Sequence, residues 1–376
     1  MIKVLHIVPA LDRGGVEKIL YNYITNIDSK NFKFEFVVHN EKEGEIEKKL
    51  KQKGYKIYHV TPKKKSLLKN MQQLNKIIKQ GNYDIVHCHQ NFSSFIALLI
   101  AKKNKIKVRI AHSHGYNPAK NVIGKFEEKI LRVINKKFAN YYFTCGEKAA
   151  EWLFGKNIFK EKNFYIMPNA IDIKKFKYQA EVKKKFEQID KEKIIILHVG
   201  RFSSEKNHEF LVNIMEYMYK AHKNQYQLIL VGDGNRKKDI QQIVKENNLE
   251  NNILFFNTCD NVNEIMSASD IFLLPSKNEG FPVTIVEAQA NGMNILCSNN
   301  ISNEVKLTDL VKFLPIESAK IWGEEIYKTK ILNEDTRKKY NEKLRNTKYD
   351  IKTQSEKYAK LLNSIIEKEE NKWQYI

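Results

Sequence analysis

Glu279 and Glu287 stand eight positions apart in Glu-Gly-Phe-Pro-Val-Thr-Ile-Val-Glu, directly after the apolar run Ile-Phe-Leu-Leu-Pro-Ser of residues 271–276. The run reads as a buried strand, Gly280 supplies a tight turn, and Pro282 sits where a helix can begin without losing a needed donor. One carboxylate then lies in a loop and the other about one turn into a helix. The same helix start directs free backbone N–H groups, around Gly280, Phe281, Pro282 and Val283, into the same space. Carboxylates for sugar hydroxyls and amides for a phosphate suit a nucleotide sugar. On spacing alone, two acidic residues near the favourable end of a helix dipole explain the pair equally well.

Other residues carry chemistry of the same kind. Gly200-Arg201-Phe202-Ser203-Ser204-Glu205-Lys206-Asn207 follows one predicted strand and precedes a helix. Arg201 and Lys206 could clamp a diphosphate and neutralise the charge that develops on a leaving nucleoside diphosphate, or they are surface cations of a basic chain. Gly232-Asp233-Gly234 after Val231 reads as a tight strand-to-helix turn, not as a dinucleotide fingerprint. Gly14 and Gly15 follow the first strand and either let a ligand approach the backbone or simply make a flexible turn. His112-Ser113-His114-Gly115 closes another strand, at the end where α/β sheets bind ligands. The triplet His87-Cys88-His89 invites a metal, but strand alternation sends Cys88 to the face opposite both histidines, so no metal site is expected.

The elements that must position these residues follow from periodicity. Strand-like runs begin at Lys3, Phe34, Lys56, Asp84, Val108, Tyr141 and Phe164, with amphipathic stretches such as residues 67–79 between them. After a polar stretch over residues 172–193 the pattern restarts at Ile194, Gln227, Ile253, Ile271, Asn294 and Val311. Alternation of this kind predicts an α/β protein of two Rossmann-like, doubly wound domains, residues 1–175 and 176–350, followed by a helix over 351–376. The apolar positions Ile351, Tyr358, Leu361, Leu362, Ile365 and Ile366 give that helix a face to pack on a domain.

Composition narrows the function classes. The chain has 376 residues, 42 % hydrophobic and 29 % charged, and no apolar run near the roughly 20 residues a membrane span needs. The N-terminal residues read as a strand and not as a signal peptide. Cys88, Cys145, Cys259 and Cys297 are widely spaced and fit reduced thiols of a cytoplasmic protein. The net charge of +21 is concentrated in residues 1–180, where 35 Lys and Arg face 15 Asp and Glu. Nucleic acid, an anionic membrane surface and an acidic substrate are all partners such a half could attract. No aromatic-basic RNA motif or helix-turn-helix pattern supports nucleic acid. Residues 121–138 form a helix-like segment in which Ile123, Phe126, Ile130, Val133 and Ile134 share one face. Lys125, Lys129, Arg132 and Lys136 form a cationic stripe beside it. That stripe is either a contact for an anionic bilayer or a solvated face.

Taken in order, these segments resemble the retaining glycosyltransferases of family 4, a GT-B group that includes glycogen-synthase-like and polysaccharide-building enzymes. The resemblance rests on the Glu-x7-Glu stretch from Glu279 to Glu287, the G-R-x-x-x-x-K-N segment from Gly200 to Asn207, the glycine-rich loop at Gly14 and Gly15, and Pro168-Asn169-Ala170-Ile171-Asp172. In the last, Ala170 replaces the usual glycine. The resemblance implies two domains facing across a cleft, with the C-terminal helix returning to the first. It implies a nucleotide-diphosphate sugar, UDP-linked by preference, whose hexose or N-acetylhexosamine passes to a glycan or lipid-linked oligosaccharide in exopolysaccharide or capsule assembly. By carry-over, Arg201 and Lys206 hold the diphosphate, Glu287 the ribose hydroxyls, and Glu279 and His114 the donor sugar, with His112 and Asn169 in support. No cofactor or metal is implied, and localisation is cytoplasmic or peripheral at the inner membrane face. A nonhydrolysing sugar-nucleotide epimerase shares this architecture and remains the enzymatic alternative; a basic nucleic-acid-binding protein is the other.

Overall fold

The computed structural model describes residues 1–12, 14–28, 30–116, 118–279 and 281–373. Its chain divides into two units, residues 1–170 with the C-terminal helix, and residues 171–350. The first unit runs β1 (Ile2–Val8), α1 (Gly15–Thr25), β2 (Phe32–Val38), α2 (Glu45–Gln52), β3 (Lys56–His59), α3 (Leu67–Gly81), β4 (Ile85–Cys88), α4 (Ser94–Lys103), β5 (Val108–Ser113), α5 (Val122–Phe138), β6 (Tyr141–Thr144), α6 (Glu147–Phe154) and β7 (Phe164–Ile166). All strand pairs are parallel, in the order β3-β2-β1-β4-β5-β6-β7. Parallel strands need helical crossovers, which cover both sheet faces and account for the near-continuous apolar runs read from the sequence.

The second unit repeats the plan with β8 (Ile194–Val199), α7 (His208–His222), β9 (Tyr226–Val231), α8 (Lys237–Glu246), β10 (Ile253–Phe256), α9 (Val262–Ser267), β11 (Ile271–Leu274), α10 (Val283–Ala290), β12 (Asn294–Ser298), β13 (Val311–Leu314), α11 (Ala319–Lys328) and α12 (Glu334–Leu344). Its sheet is parallel in the order β10-β9-β8-β11-β12-β13. Strand alternation sorts its core into two layers. Ile195, Leu197, Phe272 and Leu274 join α10 on one face, while Ile196, Leu228, Leu273 and Trp322 pack on the other. Both units are doubly wound, as the alternation of strands and helices implies.

The last helix, α13 (Ile351–Trp373), packs on the first unit. Its Tyr358 hydroxyl lies 3.0 Å from His87 Nδ1, Ser355 donates to the Tyr23 carbonyl at 3.2 Å, and Glu369 accepts from the Tyr141 hydroxyl at 2.9 Å. In the second unit Ile171, Ile173 and Phe176 are already core residues, so the segment after Ala170 belongs to that unit. Ala170 itself is buried and avoids positive φ, so the glycine it replaces is not needed for backbone conformation.

Candidate functional site

In the second unit the carboxyl ends of β8 and β11 bring the predicted cations and carboxylates together. Lys206, in the short turn before α7, forms an ion pair with Glu279, and both are largely buried. Ser276 adds its hydroxyl to the same Glu279 oxygen at 3.1 Å. Two further bonds tie the loops: Asn207 donates to the Pro275 carbonyl at 3.2 Å, and the Lys277 amide to the Glu205 carbonyl at 2.8 Å. Arg201 stands differently. Its side chain is exposed, and among the described residues its guanidinium has no hydrogen bond or ion pair. Gly232 and Gly234, at φ +155° and +154°, let the β9 turn press against this loop; a Cβ on Gly232 would lie 2.0 Å from the Gly200 carbonyl oxygen. The Gly-Asp-Gly turn is therefore a steric device, as its reading as a tight turn implied.

Glu287 lies in the second turn of α10 and is 1 % exposed. Pro282 takes the N-cap position and not the first helical one, with Val283 opening the helix. The Phe281 ring stacks on Tyr349 at 5.1 Å, so Phe281 can offer a ligand its backbone more readily than its side chain. Gly280 lies outside the described residues. Thr284, one position into the helix, keeps its hydroxyl buried without a hydrogen-bond partner among the described residues, a group that sequence reasoning passed over. A buried orphan hydroxyl at a helix start is costly unless something else meets it. The far end of α10 is held by Arg337, whose buried guanidinium donates to the carbonyls of Ser269, Met266 and Asn291 at 2.8, 3.0 and 3.2 Å and to the Asn291 side chain. It also lies over the Tyr178 ring at 4.1 Å, and burial pushes its pKa down to about 10.

The first unit gathers histidines. Alternation puts Cys88 into a core with Leu5, Ile7 and Val86, leaving His6 of β1 in register with His87 of β4 on the other face. His89, His112 and His114 continue that face as a stack, with centroids of His112 and His114 3.8 Å apart. Two hydrogen-bonded chains run through it. His6 Nδ1, His89 and His114 Nε2 are joined at 2.9 and 2.6 Å; Tyr358, His87 and His112 Nδ1 are joined at 3.0 Å each. The Nε2 atoms of His6 and His112 are buried without partners among the described residues. An orphaned lone pair costs less than an orphaned N–H, which assigns Nδ1–H to these rings. His6 then donates to His89 and His89 to His114, leaving His114 Nδ1–H as the outer donor. Burial holds His6 and His114 down to about 3, and His87, His89 and His112 well below the usual imidazole range. All five are neutral at pH 7.

His6, His87 and His89, and separately His89, His112 and His114, each turn one nitrogen to within 4.8 Å of one another, a spacing a metal could use. Those nitrogens already bind each other, so an ion would have to replace the hydrogen bonds just described. His112 is interior to the stack, whereas His114 reaches its partly exposed edge. The His112–Ser113–His114 end and the His87–His89 pair were singled out separately from sequence; strand register joins them to each other and to His6, and Tyr358 comes from a helix more than two hundred residues away, which no local spacing signals.

The remaining expected residues lie elsewhere in the first unit. Gly14 is the N-cap of α1 and Gly15 its first residue, with open space where a Gly15 Cβ would stand. Asn169 is half-buried beside Pro168, whose carbonyl accepts from Tyr23 at 2.7 Å. On α5, Lys125 and Lys129 are exposed as expected. Arg132 is instead half-buried, donating to the Trp152 carbonyl at 2.9 Å, and Lys136 pairs with Glu161 at 3.0 Å. Both have intramolecular acceptors within reach, so the cationic stripe is shorter than its spacing implied.

The chain is similar to known glycosyltransferases in both sequence and fold. Residues 13–175 match the family model described as Glycosyltransferase Family 4, and residues 179–347 the one described as Glycosyl transferases group 1. EpsF of Bacillus subtilis strain 168, a glycosyltransferase by name, is 28 % identical over 381 residues, covering 98 % of each chain. The capsular polysaccharide biosynthesis glycosyltransferase CapH of Staphylococcus aureus is 28 % identical over 304 residues, 80 % of this chain and 82 % of its own. The structure of Anabaena HepE in complex with UDP and glucose superposes with a TM-score of 0.77 at 18 % identity, over 97 % of this chain and 100 % of that one.

Proposed function

The chain is a glycosyltransferase of the GT-B fold, and on that premise we propose that it moves a hexose or N-acetylhexosamine from a UDP-sugar to a hydroxyl of a glycan or lipid-linked oligosaccharide in surface-polysaccharide or capsule assembly. The observation that carries this reading is the cluster in the second unit, where Lys206 and Glu279 form an ion pair, Arg201 in the same loop is exposed and has no partner among the described residues, and Glu287 is buried in α10. CapH, with its capsular role, and HepE, with UDP and glucose bound, support the donor class and the setting.

Arg201 and Lys206 bind the diphosphate. Arg offers a planar fork of donors and Lys a compact charge, and both gain strength as negative charge builds on the leaving UDP. Lys206 reaches that charge by loosening its bond to Glu279, which frees an oxygen of Glu279 to accept from a sugar hydroxyl. Glu287 accepts from the ribose hydroxyls. The first amides of α10 and the Thr284 hydroxyl provide donors for phosphate oxygens. In the first unit, the neutral His114 keeps Nδ1–H as a donor for a ligand oxygen, and Gly14 and Gly15 leave a backbone open to close approach. The acceptor attacks on the face the diphosphate leaves, and the departing phosphate oxygen takes the acceptor proton, so no protein base and no metal is required. Glu279, held by Lys206 and Ser276, is a binding group here and not a glycosidase nucleophile.

Proton NMR of the first-formed product tests the stereochemical step, with EDTA present. Retention of the donor's anomeric configuration at undiminished rate supports it; inversion, or loss of turnover in EDTA, would refute it. Conversion of the UDP-sugar to its epimer without UDP release would move the assignment to an epimerase.

A further inference from the structure

Helix α5 is turned inside out for a helix of a globular unit. Its one fully buried residue is polar, Asn135, which donates to the carbonyls of Phe92 and Leu131 at 2.8 and 2.9 Å. Glu128 on the same side accepts from the Trp152 indole at 3.1 Å and the Ala119 amide at 2.8 Å. Five apolar residues face the other way: Val122, Ile123, Phe126, Ile130 and Val133 are between 46 % and 83 % exposed, while Leu131, Ile134 and Phe138 are partly buried. At about 100° per residue they span roughly 100° of arc, opposite the side anchored by Asn135 and Glu128. The polar bonds thus fix the helix with its hydrophobic stripe pointing outward.

We propose that this stripe of α5 inserts into the surface of an anionic lipid bilayer and is the enzyme's membrane-docking face. Charge selects the bilayer over a second copy of the chain. Lys125 and Lys129 flank the stripe and Lys137 lies at its end, all exposed, against Glu127 as the one exposed acid of the helix. Residues 1–180, with 35 cationic and 15 acidic side chains, repel their own kind and are drawn to anionic headgroups. From residue 122 to 133 the stripe runs about 17 Å along the helix axis, the geometry of a helix lying in the interface plane. Insertion of side chains, beyond charge attraction alone, distinguishes this from a solvated cationic face. The inference deepens the reading of a lipid-linked acceptor and rests on that reading for its purpose, since it assigns the part of the enzyme that meets the acceptor's lipid.

Co-sedimentation of the full-length protein with vesicles tests it without any nucleotide sugar. The parent protein sediments with phosphatidylcholine vesicles containing phosphatidylglycerol, and part of that binding survives high salt. Combining Ile123→Ser, Phe126→Ser and Ile130→Ser lowers partitioning at least about tenfold, because three apolar side chains no longer leave water. Replacing the exposed Leu67 and Leu68 of α3 by serine leaves partitioning unchanged. Circular dichroism and UDP release with a water-soluble acceptor confirm that the triple variant is folded and active. Equal vesicle binding by parent and triple variant overturns the proposal, as does a parent that ignores vesicles but forms a dimer the triple variant loses. Failure of the transferase reading is a separate result: vesicle binding intact, with no UDP released from any donor.

Discussion

At the scale of single residues, the second-unit cluster separates an exposed cation from an engaged one. Among the described residues Arg201 has no partner to release before it meets a diphosphate, whereas Lys206 must loosen its hold on Glu279. Arg201→Ala is therefore expected to lower kcat/KM by about a hundredfold or more, the loss typical of one preorganised donor to developing charge. Glu279→Gln frees Lys206 and removes a sugar contact at once. UDP binding, measured calorimetrically, should then hold or tighten while turnover falls; a loss of UDP affinity equal to that of Lys206→Ala would contradict the division of roles. Thr284 gives a sign test. Its buried hydroxyl has no partner among the described residues, so Thr284→Val should stabilise the ligand-free protein by up to about 1 kcal/mol while weakening UDP binding. Stability and affinity moving in the same direction would contradict a ligand role for the hydroxyl. The identities of Arg201, Lys206, Glu279 and Glu287 were legible because each belongs to a short motif at a strand end. That Lys206 and Glu279 bind one another, 73 positions apart, was not, because strand order decides which loops meet.

At the scale of elements, helices place the chemistry and nonlocal bonds place the helices. Glu287 is useful only if α10 is fixed, and the Arg337 guanidinium does that through four acceptors and the Tyr178 ring. Arg337→Met should cost about 3 kcal/mol, from buried carbonyls left unpaired, read as a lower urea midpoint. The strands could be read from the sequence because fully buried parallel strands are short apolar runs between polar crossovers. β6, β8, β10, β11 and β13 begin where the pattern places them. Periodicity also found α5 and its two faces, but not which face turns outward. Only the contacts of Asn135 and Glu128 decide that, and they reverse the usual rule of apolar side inward. The Pro282 position shows the limit at helix ends, where cap and first turn differ by one residue.

At the scale of the whole molecule, charge and buried histidines are both concentrated in the first unit. Burial lowers the pKa of His6, His39 and His114 to about 3, and of His87, His89 and His112 well below the usual value. A histidine depressed in the folded state is protonated first in the unfolded chain. Its contribution to stability is complete above the unfolded pKa near 6.5 and is lost as pH falls towards the folded value, by up to about 1.4 kcal/mol per pH unit for each group. The second unit has fewer such groups, His198 and His208. Hydrogen exchange, corrected for its intrinsic pH dependence, should show β1, β4 and β5 losing protection between pH 7 and 5.5 faster than β8 and β11. Equal loss in both sheets would contradict the histidine account. The two-unit plan was legible because the strand and helix alternation restarts after the polar segment that follows Ala170, whereas the histidine stack needs three strands in register and α13 returning to the first unit.

The most direct measurement is calorimetric binding and nucleoside-diphosphate release across a panel of UDP, GDP and ADP sugars, with Arg201→Ala and Glu287→Ala as controls. The expected result is binding and slow release of UDP from one UDP-sugar, weakened by both substitutions in folded protein. Well-folded parent protein that binds no donor, or binds one equally well after both substitutions, would contradict the assignment of the second unit as the site of sugar donation.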